Sequence, residues 1–265
     1  MTKMTLVPGA LFSLCLAAVP AEATVDHTYV SGKGTDTGGC IDQATACRGF
    51  TYALAQTSPS GEIIVLDPAD YGSVTITESI SIVADGGGPA GIIVPTGSAI
   101  TISAGANAIV NLRGLTLDGE GTATDGIQII SAGSVMISDS VLRNFQDSGI
   151  LILPGSIDVS VLNSVMTNNG SDPFSGNGGG IDVVGAGLNQ TFLTVRKSVA
   201  NNNRNGFSVF KATVTFADTM ATGNTQAGIS LTGGCACTVF SYGDNEINGN
   251  GTNVLGGTLT PLAKQ

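Results

Sequence analysis

A glycine followed by a short alternating apolar run returns five times along this chain, and that recurrence limits its fold more than any other feature. The copies are "DGIQI" at Gly126, "SGILI" at Gly149, "GGIDV" at Gly180, "NGFSV" at Gly206 and "AGISL" at Gly228, spaced by 23, 31, 26 and 22 residues. Each unit carries a second alternating stretch: Val135 and Ile137, Val159 and Val161, Leu193 and Val195, Val214 and Phe216. A Ser-Val or Thr-Met step follows (Ser140-Val141, Ser164-Val165, Ser198-Val199, Thr219-Met220), then an Asn-rich turn.

Two alternating strands of about five residues cannot bury an apolar face alone. Stacked coil on coil at ~4.8 Å, they pair in parallel and close a common core, which is the logic of a solenoid. Alternation then predicts Ile127 and Ile129 inward with Gln128 outward, and Ile150 and Ile152 inward one coil later. The Gly and Asn markers are expected at left-handed corners. Every Asn lies at or after Asn107, in the regular part of the repeat, so stacked Asn side chains are expected to hydrogen-bond along a column. The 31-residue interval holds an insertion, "SDPFSGN", expected to protrude without breaking the stack. A leucine-rich repeat would need Leu at fixed offsets and a helical segment in every unit. The calcium-binding nonapeptide array would need tandem G-G-x-G-x-D. Neither pattern is present.

The ends of such a stack must be covered. In "CRGFTYALAQTSPSGEIIVLD", Phe50, Ala53 and Leu54 stand at helical spacing before Pro59 and Gly61, which predicts a short capping helix over residues 48–57. Ile63 to Leu66 reads as the first strand, "SYGDNEINGNGTNVLGG" as a degenerate last coil, and Pro261 onward as a tail. The expected organisation is a signal peptide over 1–23, a cap over 24–62, the solenoid over 63–256 and a tail over 257–265.

The leader reading rests on Lys3, the apolar "LVPGALFSLCLAAV" and the small-x-small "AEA" at Ala21 to Ala23. That apolar run is too short to span a bilayer, and no later stretch qualifies. The expected location is therefore exported, periplasmic or extracellular. The net charge of −10 argues against nucleic acid and anionic lipid as partners, and against polyanionic sugars unless a metal bridges them. Export makes disulfides plausible. Cys40 and Cys47 bracket "CIDQATAC", a short ring whose closure contributes ~2.5 kcal/mol on the chain-entropy account. Only Ala236 separates Cys235 from Cys237, so a bridge there needs a local turn, and two buried thiols remain the equal alternative. His27, the single His, has no partners that would make a metal site, and the sequence calls for no cofactor and no metal.

"YVSGKGTDTGGC", "GEIIVLDPADYGSVTITESISI", "NLRGLTLDG" and "SYGDNEINGN" together resemble exported bacterial right-handed parallel β-helix repeat proteins of the pectate-lyase-like superfamily. The resemblance covers essentially the whole mature chain. It implies an all-β fold, a single right-handed parallel β-helix with a short N-terminal capping helix. More distant relatives cleave, isomerise or bind polysaccharides, which implies a surface for long glycans by analogy of fold. Lyases of this kind typically use calcium held by clustered acids and an Arg or Lys base; the hydrolases use several Asp from adjacent coils.

Equivalent positions stack, so such clusters can be sought by column. The position before the Ser/Thr marker reads Asp139, Asn163, Lys197, Asp218. It is the one acid–base constellation the columns show, and Asp139, Lys197 and Asp218 are the candidate catalytic residues. An ordinary solvated Lys–Asp pair, contributing ~0–1 kcal/mol, is the simpler account of it. The outward position reads Gln128, Leu151, Asp182, Ser208, Ser230, with no facing carboxylate pair of the kind glycoside hydrolysis needs. The sequence thus points to an exported, non-catalytic surface, adhesive or glycan-binding scaffold. The alternative is a polysaccharide lyase or glycoside hydrolase with its site on the long face. Polysaccharide or a cell-surface glycan is the expected partner, and the oligomeric state is left open.

Overall fold

The structure, a computed structural model, describes residues 25–86, 88, 90–172, 178–187, 190–231 and 234–264; the leader and residues 173–177 of the insertion lie outside the described residues. Three parallel sheets of ten, eight and eight strands wind the chain into a right-handed solenoid. One coil illustrates the plan. Strand Asp125–Ser131 enters the Gly-led sheet, Ser134–Ser138 the ten-stranded sheet and Val141–Arg143 the short-strand sheet; Ser148–Ile152 then pairs with Asp125–Ser131 to begin the next coil. The stack continues across the insertion, because Val165–Thr167 pairs with Val199–Asn201 and Ser148–Ile152 with Gly179–Val184.

The core is a set of aliphatic columns in the expected register. In the Gly-led sheet, Ile100, Ile127, Ile150, Ile181, Phe207 and Ile229 stack rung on rung, and beside them run Ile102, Ile129, Ile152, Val183, Val209 and Leu231. The ten-stranded sheet contributes Val135, Val159, Leu193 and Val214 in one column and Ile137, Val161, Val195 and Phe216 in the next. All are buried, while Gln128 is half-exposed. Period-2 alternation places these residues because each strand has one face on the core.

The marker glycines have a different role from the one expected. None of the five adopts a positive φ. They are needed because the next coil passes too close: a Cβ on Gly149 would stand 2.7 Å from the Gly180 carbonyl oxygen, and one on Gly180 2.5 Å from that of Gly206. Left-handed corners are made instead by Asn144, Asn168 and Asn202 at one edge, and by Asp139, Asn163, Lys197 and Asp218 at another. Asn and Asp tolerate that conformation because their short side chains hydrogen-bond locally.

A different set of asparagines forms the ladder. Asn169, Asn203, Asn224 and Asn250 follow one another up the stack; the backbone N–H of each of the first three donates to the next side-chain oxygen, at 2.9–3.0 Å. Asn203 is fully buried, and its Nδ2 donates to the Met166 carbonyl. The column thus satisfies backbone groups that the inside of a corner would otherwise leave unpaired.

At the N-terminal end the helix is Phe50–Gln56, with Phe50 and Ala53 buried. The first strands lie earlier than expected: Val25–Val30 pairs in parallel with Thr57–Val65. Gly61 sits within that second strand rather than closing the helix, since a Cβ there would meet the Asp26 carbonyl at 2.7 Å. Cys40 and Cys47 are bonded to each other and fully buried. The Asp36 carboxylate accepts the Arg48 and Gly49 N–H groups at the helix start. Asp67 accepts from the Ser31 hydroxyl and the Gly32 N–H, which hold its carboxyl below the usual range and fix the "SGKG" loop. At the other end, Glu246–Asn248 and Thr252–Leu255 extend two sheets, and Thr260–Pro261 pairs with Phe240 and Ser241. Cys235 and Cys237 are also bonded to each other, with Cα atoms 5.1 Å apart, so of the two sequence alternatives it is the bridge that is present.

Candidate functional site

The column Asp139, Asn163, Lys197, Asp218 follows the in-register strand ends Ser138, Leu162, Arg196 and Ala217, where each coil turns left-handed into the short-strand sheet. Asp139 is engaged there: Arg113 Nε lies 3.0 Å from one oxygen and Asn163 Nδ2 donates to the other at 2.6 Å. Arg113 also meets Asp85 at 3.2 Å. Lys197 and Asp218 stand on neighbouring coils and line a shallow recess of about 380 Å³ with Asp244 and Glu246. Asp139 is three coils away from Asp218, ~14 Å at the strand spacing, so the three candidates do not meet at one point.

That recess shares Asp218 and Asp244 with a larger groove of about 970 Å³. Its floor is the outer face of the ten-stranded sheet: Thr194 and Arg196, then Thr215 and Ala217, then Tyr242. Leu262, Ala263 and Lys264 form its far wall. Lys264 Nζ lies 2.9 Å from Asp244 Oδ2. That contact, with the Asp218 N–H, holds the Asp244 carboxyl below the usual range. The groove therefore presents a half-buried tyrosine, two threonines, two cations and two carboxylates to one open channel.

A third group of carboxyls belongs to the Gly-led sheet, where three successive coils place Asp125 at a strand start, Asp147 just before the next strand and Asp182 midway along Gly179–Val184, close enough for their charges to act on one another. Asp125 is paired in register with Ser148, whose N–H donates to Asp125 Oδ1 at 3.2 Å. Among the described residues, Asp125 Oδ2 and Ser148 Oγ are buried and find no hydrogen-bond partner. Burial pushes the Asp125 carboxyl up to about 7, with the Asp147 charge adding to it. Burial likewise pushes Asp182 up to about 7, against the pull of the Ser208 hydroxyl, and Asp147 and Asp125 add to the rise. Perturbed carboxyls gathered in one place are a common mark of functional sites, and structural networks produce them too.

Column reading missed this cluster in two ways. It looked three positions too late, at Gln128 and Leu151, rather than at Asp125 and Ser148 just before the glycines. It also took the Asp182, Ser208, Ser230 column as solvent-facing, whereas all three are buried. Alternation tells which face a side chain takes and says nothing of a second layer over that face. Beside the start of these strands, Asp172 of the insertion donates its N–H to the Gln146 carbonyl, and Arg204 reaches the Asp172 carbonyl. The available signal was an Asp one or two residues before the glycine in successive units, "TDG" and "QDSG". Among the described residues, no three His, Cys, Asp or Glu side chains are placed to hold a metal ion, and no helix is long and apolar enough to cross a membrane.

Comparison with known proteins decides the family. The model of the right-handed β-helix region matches residues 64–250, most of the stack just described. The chain belongs to the right-handed β-helix family. Among solved structures, the pectate lyase Pel9A superposes with a TM-score of 0.63 at 16% identity, over 83% of this chain. The chain spans 62% of that structure's length, and at this identity the likeness is one of fold. No curated protein matches the sequence. Within the β-helix family frame, the groove and the acid cluster occupy different sheets of one stack, so each can be disabled without the other.

Proposed function

We propose that this β-helix protein is an exported, non-catalytic scaffold that binds polysaccharide in the groove around Tyr242. The observation that carries this reading is the groove's composition. Arg196 and Lys264 stand with Asp218 and Asp244 about a half-buried tyrosine, over a floor of threonines that repeats from coil to coil. An open channel with an aromatic face and balanced hydrogen-bonding groups suits a long neutral glycan, whose rings offer apolar faces and hydroxyl edges together. The overall charge of −10 disfavours a polyanionic chain at the same place. The test is binding of the mature protein to immobilised neutral polysaccharides. Tyr242→Ala is expected to weaken capture at least about tenfold, a loss of ~1.4 kcal/mol, with an unchanged melting temperature. Capture indifferent to Tyr242, or none on any neutral polysaccharide, would remove the groove from the proposal.

The acid cluster favours a second reading, polysaccharide cleavage, because burial raises the Asp125 and Asp182 carboxyls, the Asp147 charge adds to both, and Asp125 Oδ2 finds no partner among the described residues. Against it, among the described residues no three His, Cys, Asp or Glu side chains are placed to hold the cation a lyase of this fold uses. The expected result is no rise in unsaturated-product absorbance on polygalacturonate or alginate, with or without calcium. A rise lost in Lys197→Ala would place a base in the Asp139, Lys197, Asp218 column. A rise lost in Asp182→Asn would place the chemistry at the cluster. Either result, in a variant that melts like the parent, makes the protein an enzyme.

A further inference from the structure

The two disulfides sit in opposite settings. Cys40 and Cys47 are both fully buried under the N-terminal cap, seven residues apart, and their backbones are tied into the first strand: Tyr29 N–H donates to the Cys40 carbonyl, and Cys47 N–H to the Tyr29 carbonyl. Cys235 and Cys237 lie at the corner between strands Ala227–Leu231 and Thr238–Ser241. Both sulfur-bearing residues are partly exposed, and the flanking Gly234 and Ala236 are exposed. The ring encloses one residue, and on the chain-entropy account a bridge constrains the unfolded state less as its loop shortens. The bridge is also outside the strand ladder, which resumes at Thr238 with its N–H on the Ala212 carbonyl. Both cysteines rest against the edge of the core, with Cys235 Sγ 3.2 Å from the Val209 carbonyl oxygen, so the bridge is only partly exposed, yet far less covered than Cys40–Cys47, and it can break without unpairing a strand.

From this contrast we infer that Cys235–Cys237 is a thiol–disulfide exchange site whose substrates are dithiols, and that Cys40–Cys47 is purely structural. A thiolate of the dithiol attacks one of the two sulfurs; the Cys235–Cys237 bond breaks, a mixed disulfide forms, and the other cysteine leaves as a thiolate. The dithiol's second thiolate then displaces the bound cysteine, closing its own disulfide. Two electrons pass to the protein, which takes up two protons as Cys235 and Cys237 become thiols. Access and leaving-group character govern such exchange, and the buried pair lacks the first.

The experiment uses the mature protein and dithiothreitol as the dithiol, with alkylation and mass spectrometry of each cysteine across a concentration series. Cys235 and Cys237 are expected to open at a dithiol concentration at least about tenfold lower than Cys40 and Cys47 require, consistent with exposed disulfides having the higher potentials. Circular dichroism and melting temperature should be unchanged once only that pair is open. A Cys237→Ser variant, left with Cys235 alone, should attack a small symmetrical disulfide probe, oxidised glutathione, to form a stable mixed disulfide with release of one glutathione thiol, while Cys40–Cys47 stays closed. Simultaneous opening of both bridges, prior opening of Cys40–Cys47, or persistence of Cys235–Cys237 until the fold is lost would each overturn the assignment.

Discussion

Ile129→Asp is expected to unfold the protein, while Gln128→Asp is expected to leave it folded. Ile129 is fully buried, stacked between Ile102 below and Ile152 above in the Gly-led sheet. Removing a buried aliphatic costs ~2–5 kcal/mol. A carboxylate in its place has no partner in an aliphatic column, and burying an unpaired charge adds several kcal/mol more unless the group neutralises. Domains are stable by only ~5–15 kcal/mol, so the sum consumes most or all of that margin. Gln128, its neighbour, is half-exposed between Thr101 and Leu151, and an Asp there remains hydrated. Paired thermal and urea melts decide it: a comparable loss in both variants would mean that the register described for the Gly-led sheet is wrong.

The second large effect is a dependence of stability on pH that runs opposite to ordinary acid denaturation. Burial pushes Asp125 and Asp182 up to about 7 in the folded chain, against an ordinary aspartate value of 3.8 once the chain is unfolded. Between those values the folded state keeps protons that the unfolded state has released. Stability therefore declines as pH rises from about 4 towards about 7, at up to 1.4 kcal/mol per pH unit per group, and the loss is complete above the folded value. The two groups feel each other, so their effects belong to the pair and do not simply add. Asp67 and Asp118, whose carboxyls are held low, act in the other direction and withdraw stability only below about pH 4. The expected maximum is thus near pH 4. Asp182→Asn, which keeps the shape and cannot ionise, should raise the melting temperature at pH 8 by several degrees, at ~2–4 °C per kcal/mol for a chain of this size, and flatten the profile. A melting temperature that climbs from pH 4 to 8, or an Asp182→Asn variant no more stable than the parent at pH 8, would show that the cluster is ionised and solvated in the folded protein.

Local periodicity by itself determined which residues are core. Ile127, Ile129, Ile150 and Ile152, and the Val135/Ile137 series in the ten-stranded sheet, follow from alternation because a strand repeats every two residues and one face must leave water. The stacking of asparagines and the Cys40–Cys47 bridge were legible for the same kind of reason: recurrence in each unit, and closeness in sequence. The function of the marker glycines was not, since a residue excluded by the neighbouring coil's carbonyl looks, in one dimension, like a residue placed at a left-handed turn. Nor was the meeting of Asp125, Asp147 and Asp182, which depends on the offset at which coils of unequal length stack. The burial of Asp182, Ser208 and Ser230 depends on what lies over the outer face, and the groove on the return of Leu262 to Lys264 beside Tyr242. Those are contacts between segments distant in sequence, where no period of two or of one coil carries information, and only the tertiary structure decides which carboxyls are dry and which side chains share a channel.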